Sequence, residues 1–171
     1  MRALALVGWS GSGKTTLLTA LLPLLTARGL SVSTIKHAHH GFDLDRPGKD
    51  SFRHRAAGAH EVLVASEHRW ALLHESGGEE WTLGSLLARL APVDLVLVEG
   101  FKSGPCPKLE VHRPALGKPP LWPGRSDILA VASDVPLAGC DRPVLPLDRP
   151  DAIATWAIET LSSATLDEPA A

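Results

Sequence analysis

Little in this sequence would take the chain into a membrane or an oxidising compartment. Its 171 residues hold only two cysteines, Cys106 and Cys140, far apart and without C-x-x-C spacing. That excludes a disulfide framework and leaves structural or incidental thiols. No run of about 18 apolar residues occurs, so no membrane span is expected. Residues 3–7 are apolar but too short a run for a signal peptide, and they pass straight into a glycine-rich loop. A cytoplasmic location is expected. A net charge of −2 gives no reason to expect non-specific nucleic-acid binding. No internal repeat is present. What remains, with 44% hydrophobic and 21% charged residues, suits one globular domain with a full core.

The loop itself is the strongest signal. Gly8, Gly13, Lys14 and Thr15 fit G-x-x-x-x-G-K-[ST], the phosphate-binding loop, within Gly8-Trp9-Ser10-Gly11-Ser12-Gly13-Lys14-Thr15-Thr16. Gly8 lets the chain leave a buried strand in a turn that a Cβ would obstruct. Gly11 and Gly13 let successive backbone N–H groups curl around an anion. The helix starting at about Lys14 turns its positive pole to the same place. Lys14 is expected on the β- and γ-phosphates and the Thr15 hydroxyl on Mg²⁺. The expected nucleotide contacts are Gly8, Ser10, Gly11, Ser12, Gly13, Lys14, Thr15 and Thr16.

Periodicity places the loop in an α/β domain. Strand 3–7 leads into helix 14–28, ended by Gly29, and then strand 31–36. Polar residues 37–48 form a loop, followed by a helix over 50–58. Strands 61–66 and 69–74, joined by Glu67-His68, read as a β-hairpin on the sheet edge. Helix 82–90, strand 94–99, strands 108–112, 128–132 and 144–147, and helix 150–163 complete the pattern. This alternation predicts a three-layer phosphate-loop domain over 1–163 with a mostly parallel sheet and an edge β-hairpin. Residues 164–171 are expected to be a frayed tail.

Metal chemistry needs a carboxylate on the loop's edge of the sheet. Asp94 and Glu99 bracket one strand, roughly 16 Å apart at ~3.3 Å per residue. Ligands bind outside the carboxyl ends of parallel strands, so Glu99 is the candidate, with Thr15, for Mg²⁺. Lys14 and Glu99 are thus the expected catalytic pair. The alternative is a strand-end acid with no metal role. Asp94 belongs to the far edge. The loop after residue 36 starts on the active edge and holds His37, His39, His40, Asp43, Asp45, Lys49 and Asp50. It reads as a switch-like loop sensing the γ-phosphate, with a zinc site, a solvated loop or a partner surface as alternatives.

Five segments in order carry a resemblance: Gly8 to Thr16; Lys36-His37 through Pro47-Gly48-Lys49-Asp50-Ser51; Leu97-Val98-Glu99-Gly100-Phe101-Lys102; Lys108-Leu109-Glu110-Val111-His112-Arg113; and Ala130-Val131-Ala132-Ser133-Asp134. Together they resemble the molybdopterin-guanine dinucleotide biosynthesis adaptor (MobB) family over about residues 3–160. The resemblance implies a GTP-binding protein with weak GTPase activity, usually a homodimer. It would act beside the guanylyltransferase that attaches GMP to molybdopterin.

No Asn-Lys-x-Asp tetrapeptide, the usual guanine reader, is present. Asp134 instead follows a strand at its carboxyl end. A carboxylate there can accept from guanine N1–H and N2–H together, unless it is merely a turn-former ahead of Pro136. Lys108 and Arg113 flank a short strand and are candidates to touch phosphates or pterin. A small-molecule phosphoryl-transfer kinase is the alternative function, but four prolines among residues 113–127 argue against a helical lid. The 37–50 loop has no Gln to orient an attacking water, so turnover by the chain alone is expected to be slow.

Overall fold

The structure is a computed structural model, which describes residues 1–38, 44–75, 77–78 and 80–162. His39, His40, Asp43 and the 164–171 tail, named above, lie outside the described residues. The chain divides into two compact units, Met1–His37 with the chain from Thr82 onward, and Ala38–Trp81.

The larger unit is built on a six-stranded sheet. Its strands are β1 (Arg2–Val7), β2 (Val32–Lys36), β5 (Leu95–Glu99), β6 (Lys108–His112), β7 (Ile128–Ser133) and β8 (Val144–Pro146). They lie in the order β2-β5-β1-β6-β7-β8, and every pairing is parallel. Alternation along β1 divides the core in two. Leu4 and Leu6 face α1 (Lys14–Thr26) and α4 (Pro150–Ser162), where Leu17, Leu21, Leu25, Ile153 and Leu161 are buried. Ala3, Ala5 and Val7 face the other way, against Val96, Val98, Phe101 and Trp122, with Leu83 of α3 (Leu83–Leu87). Helices on both faces of a parallel sheet make the expected three layers.

Helix ends follow local chemistry. Gly29, at φ +82°, closes α1: its N–H donates to Thr26 O and that of Leu30 to Leu25 O, a Schellman pair. Helix α3 is shorter than the expected 82–90. Thr82 Oγ1 accepts from Ser85 N at its start, but Arg89 N and Leu90 N reach only to Leu86 O and Leu87 O, a tightened turn ahead of Pro92.

The smaller unit holds α2 (Asp50–Ala56), β3 (Glu61–Ala65) and β4 (Trp70–His74). The hairpin exists, and Ser66 N donates to Arg69 O across its two-residue turn. Its position corrects the expectation: β3 and β4 form a two-stranded sheet of their own and do not extend the edge of the larger one. Leu63 pairs with Leu72 and Ala65 with Trp70 on one face, and Leu63, Trp70 and Leu72 are all exposed. No helix among the described residues is long and apolar enough to cross a membrane.

Candidate functional site

The site grows from the end of β1. A Cβ at Gly8, whose φ is +145°, would lie 2.4 Å from Val111 O in the neighbouring strand, so only glycine lets the chain turn there. Gly11 and Gly13 follow at φ +80° and +98°, and Ser12 N donates back to Trp9 O. Leu17 N closes the first turn of α1 on Gly13 O. The result is a concave backbone at a helix N-terminus, the form that holds a phosphate. Ser12 Oγ, close to Gly8 within the loop, is buried with no hydrogen-bond partner among the described residues. A buried hydroxyl without a partner is costly unless a ligand satisfies it. The residues present therefore fit a phosphate group.

Two side chains of α1 complete the cradle. Lys14 arches back over the loop, and its Nζ donates to Trp9 O at 2.8 Å. Burial holds its ammonium below the ordinary lysine range; Glu99 pulls it back up, while Lys102 and Lys36 push it further down. Thr15 Oγ1 donates to Glu99 Oε1 at 2.8 Å. Glu99 reaches it because β5 pairs with β1 in a register that sets Leu6 opposite Glu99. Lys36, at the end of β2, brings its Nζ to 3.9 Å from the same carboxylate oxygen. One carboxylate and one hydroxyl side by side suit Mg²⁺, which keeps several waters and takes further ligands from phosphate. Among the described residues no group of three or more His, Cys, Asp or Glu side chains is arranged to hold a metal ion.

Asp94 stands at the opposite end of β5, accepting from Ser31 N at 2.8 Å and Ser31 Oγ at 2.6 Å. Those two bonds hold its carboxyl below the usual range. It ties β2 to β5 on the edge away from the loop.

The segment after β6 lies on the phosphate loop. Arg113 Nε donates to Ser12 O at 3.1 Å, Leu116 approaches Gly11, and the Trp9 indole donates to Pro119 O at 2.7 Å. Lys102 Nζ sits 4.3 Å from the Trp9 ring centre. Between β6 and β7 the chain forms only a 3-10 turn, Pro114–Leu116, and no helical lid. Asp134 is not isolated at its strand end: its Oδ2 accepts from Arg113 Nη1 at 2.9 Å.

Lys108 requires a correction. Expected near phosphates or pterin, it is fully buried. Its Nζ donates to Gly104 O and Cys106 O and pairs with Asp127 Oδ2 at 2.7 Å. It faces the core because residues alternate along β6, which sends Lys108, Glu110 and His112 to one face and Leu109 and Val111 to the other. A buried ammonium must be matched, and Asp127, gripped also by Arg125, matches it.

His37 joins the larger unit: its N–H donates to Glu99 O and its ring stacks on Phe101 at 4.4 Å. Asp45, Lys49 and Asp50 belong to the smaller unit. There Asp45 accepts from Ser51 Oγ and Arg55 Nε, Asp50 lies 3.8 Å from Arg53, and Lys49 precedes the first turn of α2. Lys36 and Lys102 escaped the sequence reading as site residues. Their signal was position alone, each lying within three residues of a strand's carboxyl end.

The model of the family described as MobB, molybdopterin guanine dinucleotide synthesis protein B, matches residues 3–134. The chain belongs to the MobB family. It is 44% identical over 160 residues to the molybdopterin-guanine dinucleotide biosynthesis adapter protein of Escherichia coli strain K12, covering 91% of each chain. Its identity to the Haemophilus influenzae adapter protein is also 44%, over 155 residues, 90% of this chain and 85% of that one. The crystal structure of a MobB homologue from Bacillus stearothermophilus superposes with a TM-score of 0.71 at 27% identity, covering 96% of this chain and all of that one. The loop, Glu99, Arg113 and Asp134 all fall inside the segment matched to MobB.

Proposed function

We propose that this MobB-family chain is a GTP-binding adaptor of molybdopterin-guanine dinucleotide biosynthesis. It would assist a guanylyltransferase that joins GMP to molybdopterin, in the cytoplasm, and hydrolyse GTP weakly at most. The observation that carries the reading is the Thr15–Glu99 hydrogen bond beside a lysine arched over a glycine cradle, in a chain 44% identical to named adapter proteins. On this reading Gly8 and residues 10–16 hold the phosphates, with Ser12 Oγ finding its partner there. Thr15 and Glu99 hold Mg²⁺, which when bound neutralises charge on the β- and γ-oxygens. Asp134 reads the guanine edge from the end of β7.

Weak hydrolysis fits the disposition of Arg113. Its guanidinium lies against the loop but donates to Ser12 O and Asp134, so it is not aimed at a transferring phosphoryl group. A missing arginine finger alone costs about 10³–10⁵ in rate. A homodimer is part of the reading, supported by the exposed Leu63, Trp70 and Leu72 on one hairpin face, which a second copy could cover.

The test is calorimetric titration with GTP and ATP, followed by nucleotide attachment to molybdopterin with limiting guanylyltransferase. GTP preference and stimulated attachment are expected. Equal GTP and ATP binding with rapid transfer to a small acceptor would favour a kinase. No effect on the transferase at any concentration would remove the adaptor role.

A further inference from the structure

We propose that Arg113 is a positioning residue that couples the phosphate loop to the base-reading carboxylate of Asp134. The proposal rests on the reading of Asp134 as guanine contact. Strand order makes it possible: β6 lies between β1, which carries the loop, and β7, which carries Asp134. The first residue after β6 is therefore the one placed to touch both, and that residue is Arg113. Its planar group is held at two edges at once, by Nε on Ser12 O at 3.1 Å and by Nη1 on Asp134 Oδ2 at 2.9 Å. The guanidinium also passes 3.7 Å from where a Gly13 Cβ would stand, at the foot of α1.

The pair is poorly explained as a source of stability. Both side chains are more than a third exposed, at 40% and 34%, and exposed ion pairs contribute little. Orientation is the better account. A carboxylate offers about four acceptor positions, and the arginine takes one of them on Oδ2. That restrains the carboxylate through Oδ2 and leaves Oδ1 and the second Oδ2 lone pair for two parallel N–H donors. Space adjoins each member of the pair. A cavity of about 90 Å³ is lined by Gly13, Thr16, Arg113 and Leu147, and one of about 300 Å³ by Ser133, Asp134, Pro146 and Asp148. A lysine at 113 would keep the charge but, as a point donor without a fork, could not hold the loop carbonyl and the carboxylate together.

The experiment compares Arg113→Lys, Asp134→Asn and the unaltered protein, titrating GTP, ITP (which lacks the 2-amino group) and ATP at fixed Mg²⁺, with circular dichroism to confirm folding. The ratio of affinities is the readout, because a merely structural or phosphate-binding role would weaken all three nucleotides alike. Arg113→Lys is expected to lower the GTP-to-ITP preference by about tenfold while changing ATP far less. If Asp134→Asn abolishes the preference and Arg113→Lys keeps it, the coupling is wrong and the base reading stands. If Asp134→Asn leaves the preference intact, the base reading fails and the proposal falls with it. A uniform loss for all three nucleotides in Arg113→Lys overturns the proposal as well.

Discussion

Glu99→Gln separates the charge of the proposed metal ligand from its shape. The amide keeps the side-chain length, and its carbonyl oxygen can still accept the Thr15 hydroxyl, now bonded at 2.8 Å. What disappears is one negative charge, 3.9 Å from Lys36 Nζ and coupled to Lys14. Two effects of opposite sign follow for GTP. With Mg²⁺ present, an anionic anchor for the dication is lost. A hydrogen bond or contact to a charged group contributes about 1.5–3 kcal/mol, so affinity should fall about 10- to 160-fold. With Mg²⁺ chelated, the same change removes repulsion between a carboxylate and a polyanion, and affinity should hold or rise.

Lys14 adds a pH signature. Its ammonium is lowered chiefly by burial, raised by Glu99, and lowered again by Lys102 and Lys36. Deleting the Glu99 charge leaves only the lowering influences. The lysine then loses its proton at a lower pH, and binding a phosphate there requires proton uptake. GTP affinity should decline as pH rises into the alkaline range, and in Glu99→Gln the decline should begin earlier. Calorimetry across pH, with Mg²⁺ and with a chelator, reads both effects. Asp94→Asn is the control, since its carboxylate engages Ser31 at the far edge. Equal losses with and without Mg²⁺, or an Asp94→Asn variant that behaves like Glu99→Gln, would refute the reasoning.

Lys14→Ala should weaken GTP binding by about 3 kcal/mol with little change in thermal unfolding, because in the free protein the side chain donates to its own loop, at Trp9 O. Gly8→Ala should destabilise the fold by at least about 3 kcal/mol, since its Cβ meets Val111 O at 2.4 Å in a backbone conformation L residues avoid. A melting point lowered by about 6–12 °C is the expected result, whereas Gly117→Ala, with nothing within 4 Å, should cost far less. Asp127→Asn leaves the buried Lys108 ammonium without its carboxylate and should cost about 2–3 kcal/mol, the exposed side of Asp127 tempering the loss. The Asp127 carboxyl is held well below the usual range, first by Arg125 and then by Lys108. Its contribution is therefore present above the ordinary aspartate value and lost progressively in strong acid, so the gap between the melts of the two proteins should begin to narrow only below about pH 4 and close only in strong acid.

The geometry around the glycine-rich loop was legible because local rules govern it. Glycine spacing, a preceding apolar strand and the polarity of parallel sheets suffice to put Thr15 and Glu99 on one edge and Asp94 on the other. Lys108 was misread for a physical reason. A lysine at the start of a short strand looks like a ligand contact until its partner is known, and Asp127 lies 19 residues on, in the turn before β7. The alternation Lys108, Glu110, His112 within an otherwise apolar strand was the available clue, since β6 is flanked by strands on both sides. The Arg113–Asp134 pair was hidden likewise, because two strand ends become neighbours only through the sheet order. The hairpin was recognised from its turn, but no sequence rule states which sheet a hairpin joins.

Sheet order also explains why the site has a direction. Across the carboxyl edge, β2 offers Lys36, β5 offers Glu99, β1 offers the loop with Lys14 and Thr15, β6 offers Arg113 and β7 offers Asp134. Each touches its neighbour: Lys36 and Glu99, Glu99 and Thr15, Ser12 and Arg113, Arg113 and Asp134. Strands stand about 4.8 Å apart, so Glu99 and Asp134, three spacings distant, are separated by roughly 14 Å. Two carboxylates that far apart, on either side of a cationic loop, cannot serve the same end of one ligand. On the proposed reading one faces the metal and the other the base, with the phosphates over the helix between them. A nucleotide reversed on this edge would set its polyphosphate against Asp134 and its base against Lys36 and Glu99, losing both complementarities at once. On that reading the order of five strands fixes the orientation of the nucleotide, and Arg113, bonded to Ser12 O and to Asp134, joins its two halves.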